Sequence, residues 1–359
     1  MHRSVRRVAG PDQGAVRGLQ SDLRRASSQP PVHLWFAHTV RDVRQSARGG
    51  ASVTGGSVRR LRRISRTVSD LDRAVAFYRD ALDFEVIREA THDTAAWAEL
   101  MGVAGVRTRA VTLRLGLQEL ELVAFTPYGR PYPVLSDAAD LCFQHIAIVV
   151  SDMDAAFAGL CRHAFIPISE DGPQPLPPRS GSVTAYKFRD PDRHPLELIQ
   201  FPVGSGDPAW QQKSRVFLGI DHSAIDVANI EASVDFYTRV LGFAVASRTL
   251  NRGPAQQRLD RLRGDLVDVV ALQPAMAGPP HVELLGYRQP GGRSSSAETR
   301  SNDVVADRLV LQVEDLPALV EALRAEKVEF VSPGIVTMQG DRHAALVRDP
   351  SGHCLLLCA

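Results

Sequence analysis

The sequence has no run of about eighteen uncharged apolar residues, which excludes a helical membrane span. It has only four cysteines, Cys142, Cys161, Cys354 and Cys358, and none forms a CxxC pair. That is too few for a disulfide scaffold and points to a reducing compartment, so a cytoplasmic location is expected. No Gly-rich nucleotide loop and no Ser-His-Asp arrangement stands out. Net charge is nearly absent, with 42 Lys+Arg against 41 Asp+Glu, but the balance hides an asymmetry. Residues 1–63 hold 13 Arg, no Lys and three acids, a charge of +10, which leaves −9 for residues 64–359 out of the total of +1.

The tail and the body therefore differ in kind. Residues 1–58 are rich in Arg, Ser and Gly, with apolar residues gathered only around Val32–Val40, too few to offset the entropy of ordering a chain. They read as a disordered basic tail. An Arg-rich, acid-poor amino end also suits a transit peptide or a nucleic-acid arm. With no aromatics interleaved among the arginines and an acidic body behind them, a solvated extension is favoured, and neither a nucleic acid nor a membrane is expected as a partner. The remaining length, with 44% hydrophobic residues overall, suits two domains or one domain duplicated.

Internal repetition decides between these. Four segments share one frame, starting at Arg63-Ile-Ser-Arg-Thr-Val68-Ser-Asp70, His145-Ile-Ala-Ile-Val-Val150-Ser-Asp152, His222-Ser-Ala-Ile-Asp-Val227-Ala-Asn229 and Arg308-Leu-Val-Leu-Gln-Val313-Glu-Asp315. In each, a strand of period two ends in Asp or Asn, which caps a helix of about twelve residues, and further strands follow. The unit is βαβββ. Pro317 fits the first turn of the fourth helix. The second and fourth modules end alike, in Arg189-Asp-Pro-Asp-Arg-His-Pro-Leu-Glu197 and Arg348-Asp-Pro-Ser-Gly-His-Cys-Leu-Leu356. Residues 202–216, with Pro202, Gly204, Gly206 and Pro208, look like a linker between halves 59–201 and 217–359.

On these residues, above all Gln144-His145-Ile-Ala-Ile-Val with the 189–197 turn and strand, and Gly219-Ile-Asp-His222 with Phe236-Tyr237, the chain from about Leu61 to Ala359 resembles the vicinal oxygen chelate superfamily. That superfamily includes glyoxalase I, methylmalonyl-CoA epimerase, fosfomycin-resistance proteins and extradiol ring-cleaving dioxygenases. The resemblance implies an α+β fold of four βαβββ modules paired into two cupped mixed sheets. It also implies one divalent metal ion in a cup, held by first and last strands. Carried over, the first-strand positions hold Arg63, His145, His222 and Arg308, and the last-strand positions hold Glu121, Glu197, Glu283 and Leu356.

Only the second and third modules keep both ligand types. A His at a strand start is ordinarily a satisfied structural residue, but Glu197 shares its strand face with Pro195 and Ile199, opposite Leu196 and Leu198. A carboxylate on a shielded apolar face costs several kcal/mol unless a cation or donors meet it. If modules one and two shared a cup, and three and four another, each cup would set a guanidinium beside the metal. Pairing two with three and one with four instead collects His145, Glu197, His222 and Glu283 in one cup, the swapped arrangement of four-module glyoxalases. Arg63 and Glu121 in the other cup are then best read as a structural ion pair.

Two imidazoles and two carboxylates without thiolate suit Ni, Zn, Mn, Fe or Co. By resemblance to glyoxalase I, Glu197 or Glu283 acts as general base on a C–H beside a chelated carbonyl, which makes the chain a lyase or isomerase of a small-molecule substrate. The first alternative is an extradiol-type Fe(II) dioxygenase, for which Tyr186, His281 and His343 are candidate second-sphere groups. The second is a non-catalytic antibiotic-binding protein. A four-module chain closes its cups internally, so monomer and homodimer are both open. Asp190, His194, Asp349 and His353 read as turn formers, the segment 251–261 as a short polar helix beside the third module's cup, and Trp97 and Trp210 as cleft borders.

Overall fold

A computed structural model describes residues 57–264, 266–289, 291 and 299–359. The disordered tail expected over 1–58 lies outside these residues except at its end, where the boundary needs correction. Val58 is fully buried, starts the first strand and donates its N–H to the Leu241 carbonyl at 3.0 Å.

The four modules follow one another in order. The first comprises β1 (Val58–Val68), α1 (Leu71–Leu82), β2 (Glu85–His92), α2 (Ala95–Met101), β3 (Arg107–Leu115) and β4 (Gln118–Thr126). The second has β5 (Gln144–Val150), α3 (Met153–Leu160), two short pieces β6 (Ile166–Pro167) and β7 (Gln174–Pro175), then β8 (Thr184–Arg189) and β9 (Pro195–Gln200). The third has β10 (Phe217–Asp226), α4 (Ile230–Asp235), β11 (Ala244–Arg252), α5 (Pro254–Asp260), β12 (Leu266–Gln273) and β13 (His281–Gln289). The fourth has β14 (Asp307–Val313), α6 (Leu316–Ala325), β15 (Val336–Met338), β16 (Arg342–Arg348) and β17 (Cys354–Cys358).

The repeated cap is the local cause of the repeated turn from strand to helix. The side chains of Asp70, Asp152, Asn229 and Asp315 each accept the N–H three residues on, at 3.0, 3.0, 3.1 and 3.0 Å. Only one helix has the expected twelve residues and the others are shorter: α1 has 12, α3 has 8, α6 has 10, and α4 has 6 before it widens into a π turn over Phe236–Val240.

The strands form two mixed sheets, and the pairing is swapped. One sheet runs β15-β16-β17-β14-β1-β4-β3-β2 and joins modules four and one; the other runs β11-β12-β13-β10-β5-β9-β8-β6, with β7 on β8, and joins modules three and two. The seams are the antiparallel pairs β1–β14 and β10–β5. Each sequence half thus gives one module to each sheet. Apolar side chains on the helix-bearing faces, such as Ile64, Ile148, Leu196, Leu198, Ile225 and Leu309, merge with those of the capped helices into one core. The opposite faces form the cups, with separate apolar clusters.

A buried polar clasp links the two sheets. The Arg66 guanidinium on β1 is fully buried, binds Asp307 of β14 through two nitrogens (Nε to Oδ2 3.0 Å, Nη2 to Oδ2 2.7 Å) and donates to Tyr78 Oη at 2.9 Å. Tyr78 donates in turn to Asp190, in the turn before β9 of the other sheet, at 2.9 Å. The third and fourth modules repeat the link, with Tyr237 donating to Asp349 at 3.2 Å. His194 and His353, in matching turns, meet the carbonyls of Thr67 and Asp226 at 2.8 and 2.6 Å. Asp190, His194, Asp349 and His353 are therefore scaffold. Removing one partner of a buried ion pair strands the other, at about 3–5 kcal/mol. Arg66→Met is accordingly expected to lose about that much stability in urea unfolding, and Arg66→Met with Asp307→Leu to recover most of it.

Candidate metal centre

His145 on β5 and Glu197 on β9 share the cup face with Ala147, Val149 and Ile199, while Leu196 and Leu198 face the helices. His222 on β10 and Glu283 on β13 come from the third module, whose β10 pairs with β5 so that Ala224 lies opposite His145 on one side and Glu283 on the other. The structure brings all four expected ligands together. His145 Nε2 lies 3.0 Å from Glu197 Oε2, and His222 Nε2 lies 3.8 Å from that oxygen and 3.5 Å from Glu283 Oε2. Atoms held about 2.0–2.2 Å from one ion stand roughly 3–4 Å from one another, so these spacings fit a shared cation. His145, Glu197 and His222 are 2, 6 and 4% exposed; Glu283 is the more open carboxylate.

A neighbour of His222 completes the arrangement. His222 Nδ1 donates to Asp221 Oδ2 at 2.9 Å, and Asp221 Oδ1 accepts the Trp210 indole N–H at 2.7 Å. This fixes the imidazole with Nε2 turned to the cup, the usual support for a metal-ligating histidine. Adjacent strand residues normally face opposite ways. Here β10 advances two residues, Ile220 to His222, while β5 advances one, Ile148 to Ala147, and this bulge lets Asp221 and His222 act together. Alternation in the sequence hid Asp221; the quoted Gly219-Ile-Asp-His222 contained it. Gly219 matters as well, because a Cβ there would sit 2.8 Å from the Trp210 ring. Trp210 lies within the segment expected as a linker and is buried in the cup wall. Two groups have ligand atoms all within 4.8 Å of one another, His145 with Glu197 and His222, and Asp221 with His222 and His281; Glu283 joins the first through its contact with His222, and both Asp221 oxygens are already engaged by Trp210 and His222.

The titratable groups of the cup shift one another strongly. Burial pushes the Glu197 carboxyl up, but the His145 hydrogen bond and the charges of His145, Lys187 and His222 hold it below its ordinary value. Burial likewise opposes Glu283, yet His222 and His281 bring it down to about 2, and Asp221 is held low against burial by His222 and His281. Burial lowers His145, helped by the Lys187 charge. Burial also works against His222, but Glu283, Asp221 and Glu197 raise it to about 9. The carboxylates of Glu197, Glu283 and Asp221 thus share one shielded cup with the imidazoles of His145, His222 and His281. His145 differs from His222 in its second nitrogen: Nδ1 is buried with no partner.

Other expected residues sort themselves by face. His281 lies beside the quartet, with Nε2 3.6 Å from Glu283 Oε1. Tyr186 packs on the opposite face against Phe157, Phe165 and Phe188, and His343 is exposed on β16 of the other sheet, bonded to Thr337 at 3.2 Å, so neither reaches the site. The strand neighbour Lys187, not Tyr186, enters the cup, where its ammonium binds Asp260 of α5 at 2.7 Å. The 251–261 segment does contain a helix, α5, and it lies over the cup: Ala255 and Leu259 join the cluster of Ala147 and Val149, and Ser169 Oγ donates to the Leu259 carbonyl at 2.9 Å.

The other cup has a different content. Arg63 pairs with Glu121 at 3.0 Å, Arg308 donates to Thr67 Oγ1 and the Ser301 carbonyl at 3.0 Å each, and Leu356 packs with Trp97, Leu100 and Met101 of α2.

Comparison with known proteins agrees with this architecture. The family model described as "Glyoxalase/Bleomycin resistance protein/Dioxygenase superfamily" matches residues 60–198 and 219–356. Among solved structures, glyoxalase I from Zea mays is similar at a TM-score of 0.55 and 17% identity, over 84% of this chain and 92% of that one. A mutant of the same maize enzyme gives 0.56 and 18%, over 90% and 96%. A putative dioxygenase from Bacillus subtilis subsp. subtilis str. 168 gives 0.50 and 11%, over 84% and 85%. These identities establish likeness of fold. A search of curated proteins finds no match. Among the described residues no helix is long and apolar enough to cross a membrane. With the family model covering both halves, the chain belongs to the glyoxalase/bleomycin resistance protein/dioxygenase superfamily.

Proposed function

We propose that the chain is a divalent-metal enzyme of the glyoxalase type, a lyase or isomerase that removes a proton beside a carbonyl of a small molecule. The observation that carries this reading is the convergence of His145, Glu197 and His222 on one buried cup face, with Glu283 3.5 Å from His222 beside them. The donor set, nitrogen and oxygen without sulfur, suits Ni, Zn, Mn, Fe or Co. When bound, such an ion supplies Lewis acidity that stabilises negative charge developing on a substrate oxygen. Glu197, bonded to His145 at 3.0 Å, is the more tightly held carboxylate. Glu283 is the looser one, with side-chain exposure of 20% against 7% for Glu197, and is assigned as the base that accepts the proton at its carboxylate. His222, and after it His281 at 3.6 Å, hold its carboxyl below the ordinary range. Leu259 of α5 and the apolar wall of Ala147, Val149 and Ile199 exclude water.

His281 beside the quartet also supports a second reading, an Fe(II) dioxygenase, since it is an imidazole next to the candidate ligands but apart from them. The two readings separate when the chain is loaded with Ni, Zn or Mn and incubated with α-hydroxycarbonyl compounds in D2O. Loss of the α-proton signal by NMR is expected, and Glu283→Gln is expected to slow it by about 10²–10⁴-fold. Oxygen uptake by the Fe(II) form without exchange would establish the dioxygenase instead, and neither activity would leave a binding protein.

Metal binding has its own signature. His222 holds a proton up to about pH 9, so a cation must displace it at neutral pH. Titration calorimetry at pH 7 in buffers of differing ionisation enthalpy is expected to report about one proton released per ion. Apparent affinity is expected to rise up to tenfold per pH unit and flatten above about pH 9. Asp221→Asn, which weakens the support of the His222 ring, is expected to lower affinity about 10–100-fold in the same titration.

A further inference from the structure

The cup extends beyond the quartet to a group that the proposed chemistry does not use. Asp226, at the end of β10, lies on the cup side with His222 and Ala224, beside Leu285 of β13, and its N–H meets the Phe143 carbonyl at 3.3 Å. It is 1% exposed, and neither carboxylate oxygen has a hydrogen-bond partner among the described residues. Nearby on α5, Gln256 is 4% exposed; its amide nitrogen donates to Asp260 at 2.7 Å and its Oε1 has no donor. The Lys187 ammonium, the obvious partner for Asp226, is bonded to Asp260. Two oxygens of Asp226 and one of Gln256 are therefore buried without a donor among the described residues, while Phe143, Leu262, Val267 and Leu285 form a buried apolar cluster of the same sheet.

A buried acceptor left unmet is costly, which makes this arrangement unfavourable as scaffold and useful as a receptor. We propose that Asp226 and Gln256 receive a hydroxyl group of the cup's occupant. The substrate class is then a ring-sized molecule with adjacent oxygens at one end, for the quartet, and a hydroxyl at the other. The dimensions support this. Asp226 lies two residues along β10 from Ala224, which pairs with His145 and Glu283, and two strand residues span roughly 7 Å, the reach of one substituted six-membered ring. Burial pushes the Asp226 carboxyl well above the usual range, against the Lys187 charge. The aromatic and aliphatic walls suit the ring between the two ends.

This inference rests on the metal reading above, and the test separates the two. The metal-loaded full chain is titrated calorimetrically with benzohydroxamic acid and with 4-hydroxybenzohydroxamic acid, two chelators that differ only in the distal hydroxyl. The hydroxylated probe is expected to bind at least about tenfold tighter. Asp226→Leu is expected to bring the ratio to about one and to raise the melting temperature, since it removes an unmet buried carboxyl, while Asp226→Asn keeps part of the preference. Equal affinities in the native chain, a ratio that survives in Asp226→Leu, or a lower melting temperature in that variant would overturn the assignment. If neither hydroxamate binds, the metal reading itself fails and takes this one with it.

Discussion

The constraint on which the site depends is the burial of Glu197 and Glu283 on one sheet face. A carboxylate removed from water must be met by positive charge or by donors, and the chain meets these two with imidazoles. Module pairing follows the same logic. Joining neighbours in sequence would set Arg63 beside His145 and Arg308 beside His222. The observed exchange sends both arginines to the other cup, where Arg63 neutralises Glu121 and Arg308 binds Thr67 and Ser301. One cup then holds the carboxylates and imidazoles together. In the other, Trp97, Leu100 and Met101 pack with Leu356.

Holding the quartet requires a stiff frame, and most of the buried polar residues outside the site supply it. Arg66 ties β1 to β14 and, through Tyr78 and Asp190, to the turn before β9, the strand that carries Glu197. Tyr237, Asp349 and His353 do the same for β10, which carries His222. The clasp thus acts on strands that bear ligands. Trp210 and Asp221 fix the ring orientation of His222 at shorter range. Helix α5 and the turn after it lower the local polarity further, through Leu259 and Leu262 respectively.

Much of this was legible in the sequence because it is repeated. Four capping residues at one offset from four alternating strands specify the module, and the charges of Arg63, His145, His222 and Arg308 specify the partners. What escaped depends on departures from strict alternation or on distance in the chain. Asp221 joins His222 only through a bulge. Tyr186 falls on the helix-bearing face, one residue from Lys187, which enters the cup. Trp210 sits in a Pro- and Gly-rich stretch whose composition suggests a connector, and its role follows from a contact with Asp221 eleven residues later. Val58 reads as part of an arginine-rich tail, yet its side chain is buried and its N–H pairs with Leu241 in the third module.

The account stands on the quartet holding one cation, and X-ray absorption at the metal edge of the cobalt- or zinc-loaded chain tests that most directly. The result expected is one ion per chain in a nitrogen and oxygen shell, with the outer-ring scattering of two imidazoles and no sulfur, reduced to one imidazole in His145→Ala. A spectrum with sulfur scatterers, a shell that His145→Ala leaves unchanged, or a chain that retains no ion would contradict it.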